Sequence, residues 1–177
     1  ICTDKTGTLT TGTMSPEVVL NGFSEVINED SPDILRENTI YNICLNNSAT
    51  YDTRGSVIGE NPTDRAILTL IDFKKYQKVL NNVEVLNKQP FNSENKYSAV
   101  TIRVEENPKL TYYKGAPEKI IDKCTGVIQK EPSEWTEAQK LILKEKIKEM
   151  NQKSMRCIAL AVHDGELVEN ELPNDMK

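Results

Sequence analysis

The residues best equipped for chemistry stand near the start of the chain, in Asp4-Lys5-Thr6-Gly7-Thr8-Leu9-Thr10. Gly7 has no Cβ, so the backbone can turn sharply beside the Asp4 carboxylate. Thr hydroxyls, backbone N–H groups and the Lys5 ammonium then gather around one point. That is equipment for holding a phosphoryl group beside a nucleophile, and an aspartate can itself attack phosphorus to give an acyl phosphate. A plain alternative is a polar turn after a strand, rich in Ser/Thr and Gly.

The elements that must carry such a loop can be read from periodicity. Ile1 to Asp4 reads as a strand end, and Pro16–Leu20 and Glu25–Ile27 as short extended pieces. Ser31-Pro32-Asp33 predicts a helix start with Ser31 as N-cap. Ile34, Leu35, Ile40, Ile43 and Cys44 continue it at helical spacing to about Asn47. Ser48 to Glu60 is polar and reads as loop. Asn61-Pro62-Thr63-Asp64 starts a second helix, with Asp64 placed as reciprocal cap and Ala66, Ile67, Leu70 and Ile71 as its buried stripe. Val83 to Leu86 reads as a strand. Val100, Ile102 and Val104 alternate with Thr101 and Arg103, a half-buried pattern, and after the Asn107-Pro108 turn Leu110–Tyr113 returns as the hairpin partner. A short helix runs from Gly115 through Cys124. The longest spans Glu134–Asn151, with Ala138, Leu141, Ile142, Ile147 and Met150 as its apolar side, and Arg156–Val162 is a strand. The fold class expected is α+β, an antiparallel sheet flanked by helices.

Bulk composition narrows the function classes. The 177 residues suffice for one domain with a real core, and the net charge of −5 argues against a nucleic-acid partner. An anionic ligand would need a local basic cluster. Cys2, Cys44, Cys124 and Cys157 form no CxxC and His163 stands alone, so a zinc site is not indicated and reduced thiols are expected. No apolar run approaches the ~20 residues of a membrane helix. Both ends read as cut, Ile1 on a strand and Lys177 in an acidic tail.

The heptapeptide from Asp4 to Thr10 resembles the phosphorylation motif of P-type ATPases, the pumps that move ions or lipids across membranes. Related phosphatases of the haloacid-dehalogenase superfamily carry a second Asp two residues after the nucleophile. Here that position is Thr6, so hydrolysis of an acyl phosphate lacks its proton shuttle. Three later stretches are similar, in family order, to the nucleotide-binding domain. Gly59–Ala66 resembles the segment whose acidic residue bonds the adenine amino group. Asp64 is one methylene shorter than the family's Glu, so helix capping and adenine contact, direct or through water, are both open to it. Pro90–Ser98 resembles the stretch whose Phe stacks on adenine and whose Lys closes the pocket, which assigns Phe91, Ser93 and Lys96 to the nucleotide. Phe91 sits between Pro90 and polar residues, an odd place for a core aromatic. Lys114-Gly115-Ala116-Pro117-Glu118 resembles the second nucleotide signature, with Lys114 on the pocket floor and Gly115 admitting a close backbone approach. Arg156, in Met155–Ala161, resembles the Arg that meets phosphate or ribose, a role suited to its planar fork.

The resemblance implies residues 1–13 as the start of a phosphorylation domain and 14–177 as a nucleotide-binding domain truncated at its C-terminal end. It implies ATP as substrate and Asp4, Lys5 and Thr6 as catalytic residues. In the complete phosphorylation domain it implies Mg2+ on Asp4 and Thr6. Partners would be the phosphorylation and transmembrane domains of the same polypeptide, with the fragment itself monomeric on the cytoplasmic side of a membrane. The Lys96 and Lys114 stretches point toward pumps of calcium and other light cations. The competing classes are a haloacid-dehalogenase-type phosphatase fragment, which turnover of a generic phosphate ester would favour, and a non-catalytic interaction module, which an internally packed Phe91 would favour.

Overall fold

The computed structural model describes residues 13–129 and 135–177. In chain order come α1 (Asp33–Leu45), β1 (Thr50–Tyr51), β2 (Val57–Ile58), α2 (Pro62–Leu68), α3 (Phe73–Asn82), β3 (Val83–Gln89), β4 (Tyr97–Val104) and β5 (Leu110–Gly115). They are followed by α4 (Pro117–Ile120), a 3₁₀ turn (Ile121–Lys123), α5 (Glu137–Gln152) and β6 (Ala159–Asp164). The main sheet has the order β3-β4-β5-β6, antiparallel throughout. The α+β expectation holds.

Strand alternation gives this sheet two buried faces. On one, Val100, Ile102, Tyr112 and Val162 pack with Ile43, Leu45, Leu68, Tyr76 and Val79 from the first three helices and their ends. On the other, Tyr97, Ala99, Tyr113 and Ala161 pack with Ile120, Ile121 and Trp135, flanked by Leu143 and Ile147 of α5. β4 is therefore buried on both faces over Tyr97–Ile102, not half-buried as its alternation suggested. Thr101 fits because its hydroxyl lies 2.8 Å from that of Thr111 and accepts the Leu167 N–H at 3.0 Å.

α1 is stitched to the sheet by amides. The Asn42 Nδ2 donates to the Tyr113 and Ala161 carbonyls, and the Asn46 Nδ2 to those of Ser98 and Tyr112. Both side chains are buried, so these bonds offset a desolvation that apolar packing could not. The cap differs from expectation. Pro32 occupies the N-cap position with no side-chain cap, and the Ser31 hydroxyl instead accepts the Asn28 N–H. Ile34, expected on the buried side, is exposed.

Other expectations are also corrected. The polar stretch after Ser48 contains the β1–β2 hairpin, closed by Asp52 accepting the N–H groups of Arg54 and Ser56 with Gly55 at φ +79. α3 was not expected; Asp72 caps it by accepting the Lys75 N–H, and Tyr76 and Val79 anchor it. α2 stops at Leu68, so its helical stripe does not reach Leu70, which is exposed; Thr63, Asp64, Ala66 and Leu68 are its buried residues, and Ile71 is buried beyond it. Between Pro16 and Ile27 the chain forms one bridge, Leu20 to Val26. β6 begins at Ala159, leaving Arg156 in the segment before it.

α5 begins at Glu137, with a capping box between Thr136 and Gln139; the expected start, Glu134, lies outside the described residues. Leu143 and Ile147 face the core, whereas Ala138, Leu141 and Ile142 are exposed. Apolar residues occur all round this helix, so periodicity could not set its rotation. Thr136→Ala should cost about 1 kcal/mol through loss of the reciprocal cap, read as a lower urea midpoint with an unchanged slope. Cys44, Cys124 and Cys157 are free thiols, Cys2 lying outside the described residues. No helix among the described residues is long and apolar enough to cross a membrane.

Candidate functional site

Three connections leave the sheet at one end. Gln89 pairs with Ala99, Tyr97 with Gly115 and Gly115 with Ala159, so the 90–96 loop, the β5–α4 junction and the run into β6 emerge together. Every described residue that the sequence assigned to a nucleotide lies on these three segments, apart from Lys114, within β5 beside that junction, and Asp64, which reaches β5 from α2.

Lys114 stands opposite Ser98 and Leu160. Its side chain is buried, and its Nζ donates to Asp64 Oδ1 at 2.7 Å. The other carboxylate oxygen, Oδ2, accepts from the Ser48 N–H at 2.9 Å and the Ser48 hydroxyl at 2.6 Å. Asp64 is therefore not the reciprocal cap of its helix. Asn61 caps α2 alone, accepting the N–H groups of Thr63 and Asp64. Burial pushes the Asp64 carboxyl up, but Lys114 and the Ser48 hydrogen bonds outweigh it and hold the group below the usual carboxylate range. Burial pulls the Lys114 ammonium below its ordinary value, a pull that Asp64 opposes and the nearby charge of Lys88 reinforces.

Gly115 is required by the loop's own backbone. A Cβ there would lie 2.4 Å from the Lys96 carbonyl oxygen and 2.6 Å from Tyr97 Cβ. The approach is fixed by the Ala116 N–H, which donates to the Lys96 carbonyl at 3.0 Å. Lys96 itself takes the left-handed conformation, φ +61, and its half-exposed ammonium lies 3.7 Å from Glu118 Oε1. Lys96, Gly115, Lys114 and Asp64 thus form one connected group.

Phe91 is 54% exposed and belongs to neither core cluster. Ser93 is exposed on the same loop. Arg156 is exposed and lines a crevice of about 570 Å³ with Asn42, Thr63, Pro117 and the β6 residues Ala159–Val162. Phe91, Lys96, Lys114 and Gly115 do not line that crevice. Asp4, Lys5 and Thr6 lie outside the described residues. Among the described residues no group of three or more His, Cys, Asp or Glu is placed to hold a metal ion.

Ser48 and Lys88 were missed by sequence reasoning. Ser48 lies in a polar stretch with no spacing rule linking it to Asp64, sixteen residues on. Lys88 and Lys114 stand on different strands, and only the fold brings the Lys88 charge near Lys114.

Comparison with known proteins agrees with this architecture. The sequence model of the P-type ATPase cytoplasmic domain N matches residues 33–176. The chain is 27% identical over 191 residues to calcium-transporting ATPase 9, plasma membrane-type, of Arabidopsis thaliana, covering 100% of this chain and 17% of that protein. It is 30% identical over 186 residues to calcium-transporting ATPase 1 of Saccharomyces cerevisiae, covering 91% of this chain and 19% of that protein. Calcium-transporting ATPase 12, plasma membrane-type, of Arabidopsis thaliana is 32% identical over 183 residues, covering 91% of this chain and 17% of that protein. The chain therefore spans less than one fifth of the length of these curated relatives. With β5 delivering a buried Lys114 to Asp64 at the sheet end, and the family match running from α1 to Met176, the chain belongs to the P-type ATPases, as their cytoplasmic domain N.

Proposed function

We propose that this domain binds ATP through its adenine ring at the sheet end formed by the 90–96 loop and the β5–α4 junction. The observation that carries the reading is the connected group of Lys96, Gly115, Lys114 and Asp64, set at the root of the loop that holds Phe91 half out in solvent. An exposed ring offers a base a face to stack on. Lys88 and Lys96 supply positive charge beside the Lys114–Asp64 pair in a chain of net charge −5, and Arg156 stands on the run into β6 that leaves the same sheet end. Ser93 offers a hydroxyl on the same loop.

In the whole pump, the domain would bring the γ-phosphate to Asp4, with Lys5 and Thr6 beside it, to form the aspartyl phosphate that drives cation transport. Magnesium on Asp4 and Thr6 would neutralise charge between phosphate and carboxylate. The similarity to calcium-transporting ATPases favours calcium as the cation. The domain's partners would be the phosphorylation and transmembrane domains of one polypeptide.

Stacking of ~1–3 kcal/mol and two or three charge-assisted hydrogen bonds of ~1.5–3 each are set against an association cost of at least ~4. The expected dissociation constant is on the order of high micromolar to millimolar. Titrating ATP into the 15N-labelled chain should shift the amide signals of Phe91, Lys114 and Gly115, and EDTA should change little. Silence at those amides across millimolar ATP would remove the reading.

A further inference from the structure

We infer that Asn170 is a positioning residue for the nucleotide, bracing both feet of the loop that carries Phe91. The inference rests on the ATP-binding reading above and adds to it the segment after β6. That segment, Gly165 to Glu171, lies across the sheet and is anchored at three points. The Gly165 N–H donates to the Lys109 carbonyl, its own carbonyl accepts the Thr111 hydroxyl at 2.7 Å, and the Leu167 N–H donates to Thr101 Oγ1. These bonds bring Asn170 to the sheet end where the 90–96 loop begins and finishes.

There Asn170 makes two contacts at once. Its N–H donates to Gln89 Oε1 at 2.8 Å, and Gln89 is the buried last residue of β3, one step before Pro90. Its Oδ1 accepts from Asn95 Nδ2 at 2.5 Å, and Asn95 directly precedes Lys96. Chain separations of 81 and 75 residues mean that only the tertiary fold creates this brace. Asn170 holds φ +60, a conformation that Asn, Asp and Gly tolerate best and that aims backbone and side chain at the two feet together.

The loop has little else to fix it. Its internal bonds are local: the Asn95 N–H to Asn92 Oδ1 and the Lys96 N–H to the Asn92 carbonyl. The Lys96 carbonyl is held by Ala116, and Phe91 is 54% exposed and belongs to neither core cluster. A stacking ring on an unbraced loop must be ordered at the moment of binding, and that ordering is subtracted from affinity. Asn170 does this ordering in advance.

The test uses the 177-residue chain and ATP. Asn170→Gly keeps the left-handed backbone and removes only the amide, and Asn95→Ala removes the other partner. Each is expected to weaken ATP about 2- to 12-fold, the net worth of one hydrogen bond, with the thermal midpoint of the chain nearly unchanged. The double variant should be no weaker than either single one, and Asn170→Asp, which keeps the acceptor and tolerates the same φ, should restore binding. Independent, multiplying losses overturn the brace, as does a loss that Asn170→Asp fails to restore. Phe91→Ala, measured alongside, separates the two levels. If it and Asn170→Gly both bind like the unaltered chain, the nucleotide site is wrongly placed. If Phe91→Ala loses ATP and Asn170→Gly does not, the brace alone is wrong.

Discussion

Phe91→Ala should weaken ATP binding about 5- to 150-fold, corresponding to ~1–3 kcal/mol of lost stacking, while leaving the urea midpoint of the chain where it was. The two halves of this expectation come from one fact. Phe91 is 54% exposed and lies in neither core cluster, so its removal leaves both cores intact. An aromatic ring left half in water contributes little to folding that would explain its place between Pro90 and Asn92. Its worth must appear when something covers it. Phe91→Trp should bind at least as well as Phe91, and Phe91→Leu should behave like the alanine variant, because the interaction needs a flat face and not merely apolar area. A drop in stability equal to the drop in affinity would instead mark Phe91 as a packing residue and return the site to the interaction-module reading.

The parts of the fold legible in the sequence are those whose signals are local. The β4–β5 hairpin followed from one alternating run, Val100–Val104, and its return after the Asn107-Pro108 turn, and the Asn107 N–H does bond the Val104 carbonyl there. α3 was hidden because its core contribution rests mainly on Tyr76 and Val79 among three lysines and a glutamine, too thin a stripe for periodicity to find. Thr101 read as a solvent-facing strand residue because its burial depends on Thr111 and on Leu167, 66 residues away. The same division holds at the site. Lys114 was conspicuous as a lysine inside a strand, yet nothing in its surroundings named its partner 50 residues earlier. Asp64 carried a local rule, the helix cap, and the tertiary fold overrode it, because an ammonium buried beside it is a far stronger claim on a carboxylate than a surface N–H. Arg156 was assigned by resemblance, and only the start of β6 at Ala159 showed that it stands on the connecting segment and not in the strand.

That claim on the carboxylate has a measurable size. Lys114→Ala or Asp64→Ala leaves one charge buried and unpaired, at a cost of about 3–5 kcal/mol, a large share of the ~5–15 kcal/mol by which a domain is stable. Either variant should therefore unfold at a much lower urea concentration. The double variant Asp64→Leu with Lys114→Met should recover most of that loss, because it removes both charges and fills the space with apolar atoms. If ATP binding stays absent in this refolded double variant, the pair serves the nucleotide; if binding returns with stability, the pair serves the fold alone. Acid separates the variants further. The folded-state Asp64 carboxyl titrates below its ordinary value of ~3.9, so the unfolded chain takes up this proton first as pH falls. The contribution of Asp64 is thus fully present above that ordinary value and is lost as pH drops through the lower folded one. The unaltered chain should lose stability below about pH 4 more steeply than the double variant. Parallel acid curves for the two would mean that Asp64 carries no special ion pair, since the exposed carboxylates common to both would then account for the whole slope.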